Sequence, residues 1–221
     1  MGKTTNLTAA DGHRFDAYIA EPKGAPRGGL VVVQEIFGVN GHIRSVCDGY
    51  AADGYYCVAP ALFDRLEAGI DLGYGGDDLT RGRDLRGRMN WADCMKDVTA
   101  AVAAAAQAGK VGTVGYCYGG GVTWLAAALV PGLSASVGYY GGPWAELADR
   151  APQCPAMLHF GAKDAMIPVS LAETMKARHP SVIAHVYDAD HGFNCDQRVH
   201  YDGYAATLAR RRTLALFEAA L

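Results

Sequence analysis

Short apolar runs rich in β-branched residues alternate along the chain with longer segments whose apolar residues recur every three to four positions. Residues 30–34 form a continuous run of the first kind, which is typical of a strand buried on both faces of a mostly parallel sheet. Further strands are predicted at residues 55–60, 110–114, 133–141, 155–161 and 182–187. Helices are predicted at residues 43–53, 91–108, 121–129, 169–178 and 201–221. This alternation predicts an α/β fold with helices on both faces of the sheet.

The N-terminal segment departs from this pattern. Residues 4–20 alternate polar and apolar side chains around Asp11 and Gly12, a typical hairpin turn. We therefore expect an antiparallel pair of strands at one edge of the sheet. The charged segment 79–89 is compatible with a helix, and no linker or repeat divides the chain. Residues 1–221 are thus predicted to form one α/β domain without a large cap.

The composition argues against several classes of partner. The chain carries a net charge of −3 and has a sequence pI near 6.1, so we expect neither nucleic acid nor an anionic membrane as a partner. We find no apolar core of a signal peptide and no run that approaches the roughly 20 residues of a membrane span. The six cysteines show no C-x-x-C pair and no metal-ligand spacing. This pattern favours reduced thiols, a cytoplasmic location and no bound metal or cofactor.

Residues 115–120 read Gly-Tyr-Cys-Tyr-Gly-Gly between a predicted strand and a predicted helix. A cysteine in such a place is often a small buried hydrophobic residue. An ordinary strand-to-helix turn, however, has no need for glycine on both sides. A nucleophile elbow does need it, because the central side chain sits on a strained turn with a backbone N–H beside it. Cys117 is therefore the candidate nucleophile.

An acid and a base for this nucleophile are expected after later strands, in that order along the chain. Asp164 follows one strand and His191 follows the last one. Asp164 could simply belong to a turn and His191 to the surface. The other six histidines lack both the position after a strand and a following glycine: His13, His42, His159, His179, His185 and His200. We therefore expect His191 to polarise Cys117 and Asp164 to fix the imidazole tautomer.

Glu35 directly follows the buried run 30–34. It could be a solvated loop carboxylate, but ligands bind at the carboxyl ends of strands in sheets of this kind. The motifs at residues 34–38, 115–120, 161–164 and 191–193 together resemble the dienelactone hydrolase (carboxymethylenebutenolidase) family of α/β-hydrolases. The resemblance implies a Cys117, Asp164 and His191 triad. It also implies that Glu35 contacts the resting thiol and takes its proton when substrate binds.

The resemblance further implies a hydrolase that opens a small lactone or ester without a cofactor, such as 4-carboxymethylenebut-2-en-4-olide to maleylacetate. Backbone N–H groups of Tyr118 and Ile36 would then stabilise the oxyanion. Candidate substrate-binding residues are Phe37, Arg81, Arg83, Tyr139, Tyr140 and Phe193. One of the arginines could hold a substrate carboxylate in a bidentate manner.

Two positions depart from the family pattern. Gly192 and Cys195 stand where the family has serine and arginine, and Arg198 lies nearby but out of register. The substrate is therefore left open between a dienelactone and another small ester. A general carboxylesterase or thioesterase without a preference for anions remains an alternative, as does a redox or binding protein that uses Cys117. We expect a small-molecule substrate and a monomer or small homo-oligomer.

Overall fold

A computed structural model describes residues 2–221 and joins eight strands into one sheet. The strands are β1 (Lys3–Thr8), β2 (Arg14–Ala20), β3 (Gly29–Val33), β4 (Tyr56–Pro60), β5 (Val111–Tyr116), β6 (Leu133–Tyr139), β7 (Ala156–Gly161) and β8 (Ile183–Tyr187). Their spatial order is β1-β2-β4-β3-β5-β6-β7-β8. Strands β3 to β8 pair in parallel, whereas β1 and β2 pair antiparallel at one edge. The mostly parallel sheet and its N-terminal antiparallel edge are confirmed.

Seven helices surround the sheet within these residues. They are α1 (Gly41–Ala52), α2 (Gly76–Arg88), α3 (Trp91–Ala105), α4 (Tyr118–Leu129), α5 (Trp144–Leu147), α6 (Ser170–Arg178) and α7 (Gly203–Ala220). Helix α7 begins two residues after the predicted position, because the Asp202 side chain accepts a hydrogen bond from the N–H of Ala205 and caps the helix. None of these helices combines the length and the apolar character needed to cross a bilayer.

The helices form two layers, one on each face of the sheet. On one face, α1 contacts α7, since the rings of Tyr50 and Phe217 are 6.3 Å apart. On the other face, α3 contacts α4, where the Tyr118 hydroxyl donates to Cys94 Sγ. The strands between the layers are buried throughout their length in β3, β5 and β7. Burial on both sides explains why their sequences are continuous apolar runs rather than alternating ones.

The register of the parallel strands places their carboxyl ends side by side. Val33 lies opposite Gly115, and Gly115 lies opposite Gly138. Further along the sheet, Gly161 lies opposite Tyr187. Loops that leave β3, β5, β7 and β8 therefore meet at one edge, which is where ligands bind in open parallel sheets.

Candidate active site

Cys117 occupies a strained turn between β5 and α4. Its backbone has φ 54° and ψ −115°, a left-handed value that non-glycine residues rarely adopt. A Cβ atom on Gly115 would collide with the carbonyl oxygen of Gly119, and one on Gly119 would lie 2.5 Å from the carbonyl oxygen of Val33. Both positions therefore require glycine, and the half-buried thiol is presented above the strand ends.

Cys117, His191 and Asp164 form a continuous hydrogen-bonded chain. The Sγ of Cys117 is 3.3 Å from His191 Nε2, and His191 Nδ1 is 2.7 Å from Asp164 Oδ2. The other carboxylate oxygen of Asp164 accepts hydrogen bonds from the N–H groups of Met166 and Ile167. Asp164 is thus held in place from both sides. The three residues come from the loops after β5, β7 and β8, in the order that the sequence predicted.

Burial and charge act in opposite directions on His191. Burial lowers the pKa of the imidazole, because it disfavours the charged ring. The neighbouring Cys117 group and the hydrogen bond that the ring donates to Asp164 outweigh burial and raise the pKa of His191 above its usual value. The surroundings of the ring therefore favour its protonated form.

A cavity of about 260 Å³ opens in front of the thiol. It is lined by Ile36, Arg83, Arg86, Cys117, Tyr118, Gly142 and Pro143. Tyr118 is the first residue of α4, so its N–H has no partner within the helix. Both residues predicted to supply oxyanion donors, Tyr118 and Ile36, line the same cavity as Cys117. Of the two predicted arginines, Arg83 lines it, whereas Arg81 pairs with Glu67 on the exposed surface.

Glu35 is buried with 1 % of its surface exposed, so it is not a solvated loop residue. Its Oε2 accepts a hydrogen bond of 3.0 Å from the Tyr74 hydroxyl, and its Oε1 is 3.5 Å from Arg198 Nη1. The predicted contact between Glu35 and the resting thiol is not the arrangement found. The thiol instead pairs with His191, because the elbow directs Sγ toward the loop after β8.

Arg198 lies out of register with Cys195, the position at which the resemblance implies an arginine. Burial lowers the pKa of its guanidinium, but the charges of Glu35 and then Cys117 outweigh that effect and raise it. The guanidinium also lies 5.8 Å from the centre of the Tyr74 ring. Gly192, which replaces the family serine, has φ +80°, and a Cβ atom there would lie 2.6 Å from Arg198 Nη1. The glycine therefore leaves the space that Arg198 occupies.

Three of the predicted substrate-binding aromatic residues lie in the core instead. The Tyr139 hydroxyl bonds to Thr213, and the Phe193 ring packs 5.2 Å from that of Tyr187. Phe37 is 2 % exposed and packs against Tyr74. We predicted that these three side chains contact the substrate, but in the structure they pack within the core of the fold.

Tyr140 lies nearer to the triad than those three residues. Its ring centre is 5.1 Å from that of His191, and its backbone has φ 36°. Its buried hydroxyl has no hydrogen-bond partner. Tyr140 therefore supports the imidazole through ring contact.

Three residues near the site were given no functional role by sequence reasoning: Tyr74, His42 and Cys195. The last two, together with Glu35, bring potential metal-ligating atoms within 4.8 Å of one another. Their separation along the chain, from residue 35 to residue 195, offers no spacing motif. Only the fold brings them together, so no local signal could have found them.

Comparison with known proteins gives consistent matches across the chain. A family model described as the dienelactone hydrolase family matches residues 15–221. A Synechocystis protein provisionally named carboxymethylenebutenolidase is 33% identical, covering 99% of this chain and 98% of its own length. Carboxymethylenebutenolidase 1 of Cupriavidus pinatubonensis is 31% identical, with 95% and 94% covered. A solved Klebsiella pneumoniae chain, provisionally described as a dienelactone hydrolase, is 32% identical and matches with a TM-score of 0.83 over 98% of each chain.

Proposed function

Because the chain belongs to the dienelactone hydrolase family and is therefore an ester-bond hydrolase, we propose that it cleaves a small lactone or ester that carries a carboxylate. The nucleophile is the Cys117 thiolate. The single observation that carries the proposal is the chain of short contacts from Cys117 Sγ through His191 to Asp164. The substrate class follows from Arg198, a half-buried cation that lies 3.5 Å from Glu35.

The chemistry begins from the form of the site in which the thiol proton is on His191 Nε2, which lies 3.3 Å from Sγ. The Cys117 sulfur then attacks the carbonyl carbon, and backbone N–H groups of Tyr118 and Ile36 stabilise the oxyanion. As the tetrahedral intermediate collapses, the C–O bond breaks and His191 gives its proton to the leaving oxygen. This leaves a thioester on Cys117. Asp164 steadies the imidazolium throughout.

Release of the acid reverses the roles. Water gives a proton to His191 while its oxygen attacks the thioester carbonyl, and the C–S bond then breaks. The sulfur leaves as the thiolate beside the imidazolium, and a carboxylic acid is released. These steps need no cofactor, because every proton moves between Cys117, His191, the substrate and water.

We assign the first proton acceptor as His191 rather than Glu35, since the imidazole contacts the thiol. Glu35 has a different role in this proposal. Without substrate it balances the partly buried charge of Arg198, which would otherwise lack a partner. A substrate carboxylate competes for the same guanidinium and can bind it through two parallel hydrogen bonds. The exchange lets an anionic substrate enter without leaving Arg198 unpaired.

The relatives named carboxymethylenebutenolidase make a dienelactone the natural first substrate to test. The experiment compares kcat/KM for a dienelactone with kcat/KM for p-nitrophenyl acetate, which has no carboxylate. The ratio of the two values is measured in wild type, in Arg198→Gln, in Arg83→Gln and in Arg81→Gln. We expect Arg198→Gln to lower the ratio by about 10- to 100-fold. Arg81→Gln is the matched control, because Arg81 pairs with Glu67 at the surface.

The ratio is taken within each variant, so a general loss of folded protein cancels. If Arg198→Gln leaves the ratio unchanged, the preference for anionic substrates is wrong and a general carboxylesterase becomes the better description. If only Arg83→Gln lowers it, the substrate carboxylate binds in the cavity lined by Arg83 instead. If Cys117→Ala still turns over either substrate at the wild-type rate, the nucleophile is wrong.

A further inference from the structure

A second group of reactive side chains lies beside Arg198 and outside the triad. It consists of Glu35 after β3, His42 in the first turn of α1 and Cys195 in the loop after β8. One ligand atom from each lies within 4.8 Å of the other two, and all three residues are buried. In the proposed reaction, His42 and Cys195 have no task. A carboxylate, an imidazole and a thiol that converge in the interior therefore need another explanation.

An unsatisfied polar atom at the same place points to a ligand. The Nδ1 atom of His42 is 3.4 Å from Asp196 Oδ1, and the side chain is 4 % exposed. Its Nε2 atom is fully buried without a hydrogen-bond partner. Buried polar atoms are rarely left unpaired, because each costs free energy.

The donor set identifies the chemistry of the missing ligand. Thiolate sulfur, imidazole nitrogen and carboxylate oxygen are the three ligand types that Zn²⁺ takes in proteins, normally in four-coordinate geometry. Mg²⁺ and Ca²⁺ prefer oxygen alone. We propose that Glu35, His42 and Cys195 form a zinc site, with the fourth position open to water.

Asp196 strengthens the proposal, because a carboxylate commonly holds the second nitrogen of a zinc-bound histidine. With Nδ1 directed at Asp196, the unpartnered Nε2 is the nitrogen left for the metal. A surface cavity of about 300 Å³ lined by His42, Asn194 and Asp196 gives an ion a route to the imidazole. On binding, the Cys195 thiol releases its proton to solvent and the sulfur bonds to the metal.

Occupancy of this site has a consequence for the active site. A Glu35 oxygen bound to zinc no longer balances Arg198, whose Nη1 lies 3.5 Å from Oε1 of the same carboxylate. The zinc site would then regulate hydrolysis from beside the triad without touching Cys117. This regulatory effect rests on the proposed function, whereas zinc binding itself does not depend on it.

The first test measures Zn²⁺ binding to the full chain by competition with a chromophoric chelator, using Cys117→Ser protein so that the catalytic thiol cannot contribute. We expect a Kd in the micromolar range, ~1 µM, or tighter. Cys195→Ser in that background should weaken binding at least ~10-fold, and Asp196→Asn should weaken it by about 10-fold. Cys154→Ser is the matched control, a half-buried cysteine elsewhere in the fold, and should change nothing.

Co²⁺ provides a spectroscopic readout of the same ligands. A cobalt–thiolate charge-transfer band should appear in Cys117→Ser protein and disappear in the Cys117→Ser/Cys195→Ser double variant. Absence of Zn²⁺ binding, or binding and a band that survive Cys195→Ser, would overturn the proposal. Binding that vanishes in Cys117→Ser alone would place the metal on the triad and overturn it equally. His42→Gln gives a second check should Cys195→Ser fold poorly, because it removes a ligand from a different element.

Discussion

His191 and His159 are both buried histidines near the last two strands, yet their surroundings give them opposite properties. His191 is 5 % exposed and lies after β8 between a thiol and a carboxylate. His159 is fully buried within β7 and bonds to the Tyr187 hydroxyl at 2.8 Å and to Thr213 at 3.0 Å. The charged neighbours raise the pKa of His191. Burial, followed by the electrostatic effect of His185 and Arg212, lowers the pKa of His159 well below its usual value.

The difference shows that burial alone does not make a histidine reactive. Burial lowers the pKa of both rings, and only His191 has neighbours, Cys117 and Asp164, that reverse the effect. His159 remains neutral and joins β7, β8 and α7 through hydrogen bonds to hydroxyl groups. In the proposed mechanism His191 serves chemistry, whereas His159 serves packing.

Replacing each ring in turn should give the largest contrast. His191→Ala removes the proton acceptor and should lower kcat/KM on p-nitrophenyl acetate by about 10⁴-fold. His159→Ala should leave kcat/KM per folded molecule within a few-fold of wild type. It should instead lower the free energy of unfolding by about 3 kcal/mol, because it opens a cavity and leaves hydroxyl groups unpaired. Initial rates and urea denaturation measure the two quantities on the same samples.

The contrast between the two histidines is wrong if the two variants behave alike. A loss of activity in His159→Ala without a loss of folded protein would show that His159 also takes part in catalysis. A folded His191→Ala protein with wild-type activity would show that His191 is not the proton acceptor.

Converting the surroundings of His191 toward those of His159 should have the next largest effect. Asp164→Asn removes the charge beside Nδ1 and should lower kcat/KM by about 10²- to 10⁴-fold. The pKa of His191 should fall, because the carboxylate no longer favours the imidazolium. NMR titration of the His191 ring measures this fall directly. An unchanged pKa of His191 would show that Asp164 does not stabilise the imidazolium.

The residues of this contrast were largely predictable from the sequence. Cys117, Asp164 and His191 each follow an apolar run, and parallel strands end at a common edge, so their order along the chain indicated their meeting in space. His159 lies within such a run, where both faces of a strand are buried. The position of each histidine relative to the end of its strand thus distinguishes the two from the sequence alone.

The two rings should also give opposite pH dependences of stability. His159 stays neutral when folded and binds a proton when unfolded below about pH 6.5, so it lowers stability as pH falls below that value. His191 binds its proton more tightly when folded, so its contribution is complete below about pH 6.5 and is lost as pH rises above it. Each effect approaches ~1.4 kcal/mol per pH unit.

Urea denaturation of each variant and of wild type, at pH values below and above about 6.5, should show these opposite pH dependences of stability. The loss of stability on acidification should be smaller in His159→Phe, and the loss on going to alkaline pH should be smaller in His191→Ala. Slopes that match wild type in both variants would contradict the assigned directions of the two pKa shifts.

The smallest expected effect concerns the hydrogen bonds of His159. Tyr187→Phe removes the hydroxyl that bonds to His159 Nδ1 and keeps the ring that packs against Phe193. We expect a loss of about 1 kcal/mol in the free energy of unfolding, with no change in kcat/KM. A change in kcat/KM would instead connect the His159 network to the active site.

The remaining site residues show where sequence reasoning stops. Tyr139 and Phe193 follow or end strands as pocket residues do, but which face of the sheet each ring joins depends on packing against α7. Arg198 was visible only as an arginine at the wrong spacing, because the position of its guanidinium depends on the space that Gly192 leaves. Long side chains from irregular loops are placed by tertiary contacts rather than by local pattern.

The catalytic claim is tested most directly by trapping the covalent intermediate. The protein is mixed with p-nitrophenyl acetate, quenched in acid during the first turnover, digested and analysed by mass spectrometry. We predict one acetyl group on Cys117, seen in wild type and absent in Cys117→Ala, which should also lack turnover. Active protein without an acetyl group on Cys117, or with one only on another residue, would contradict the account.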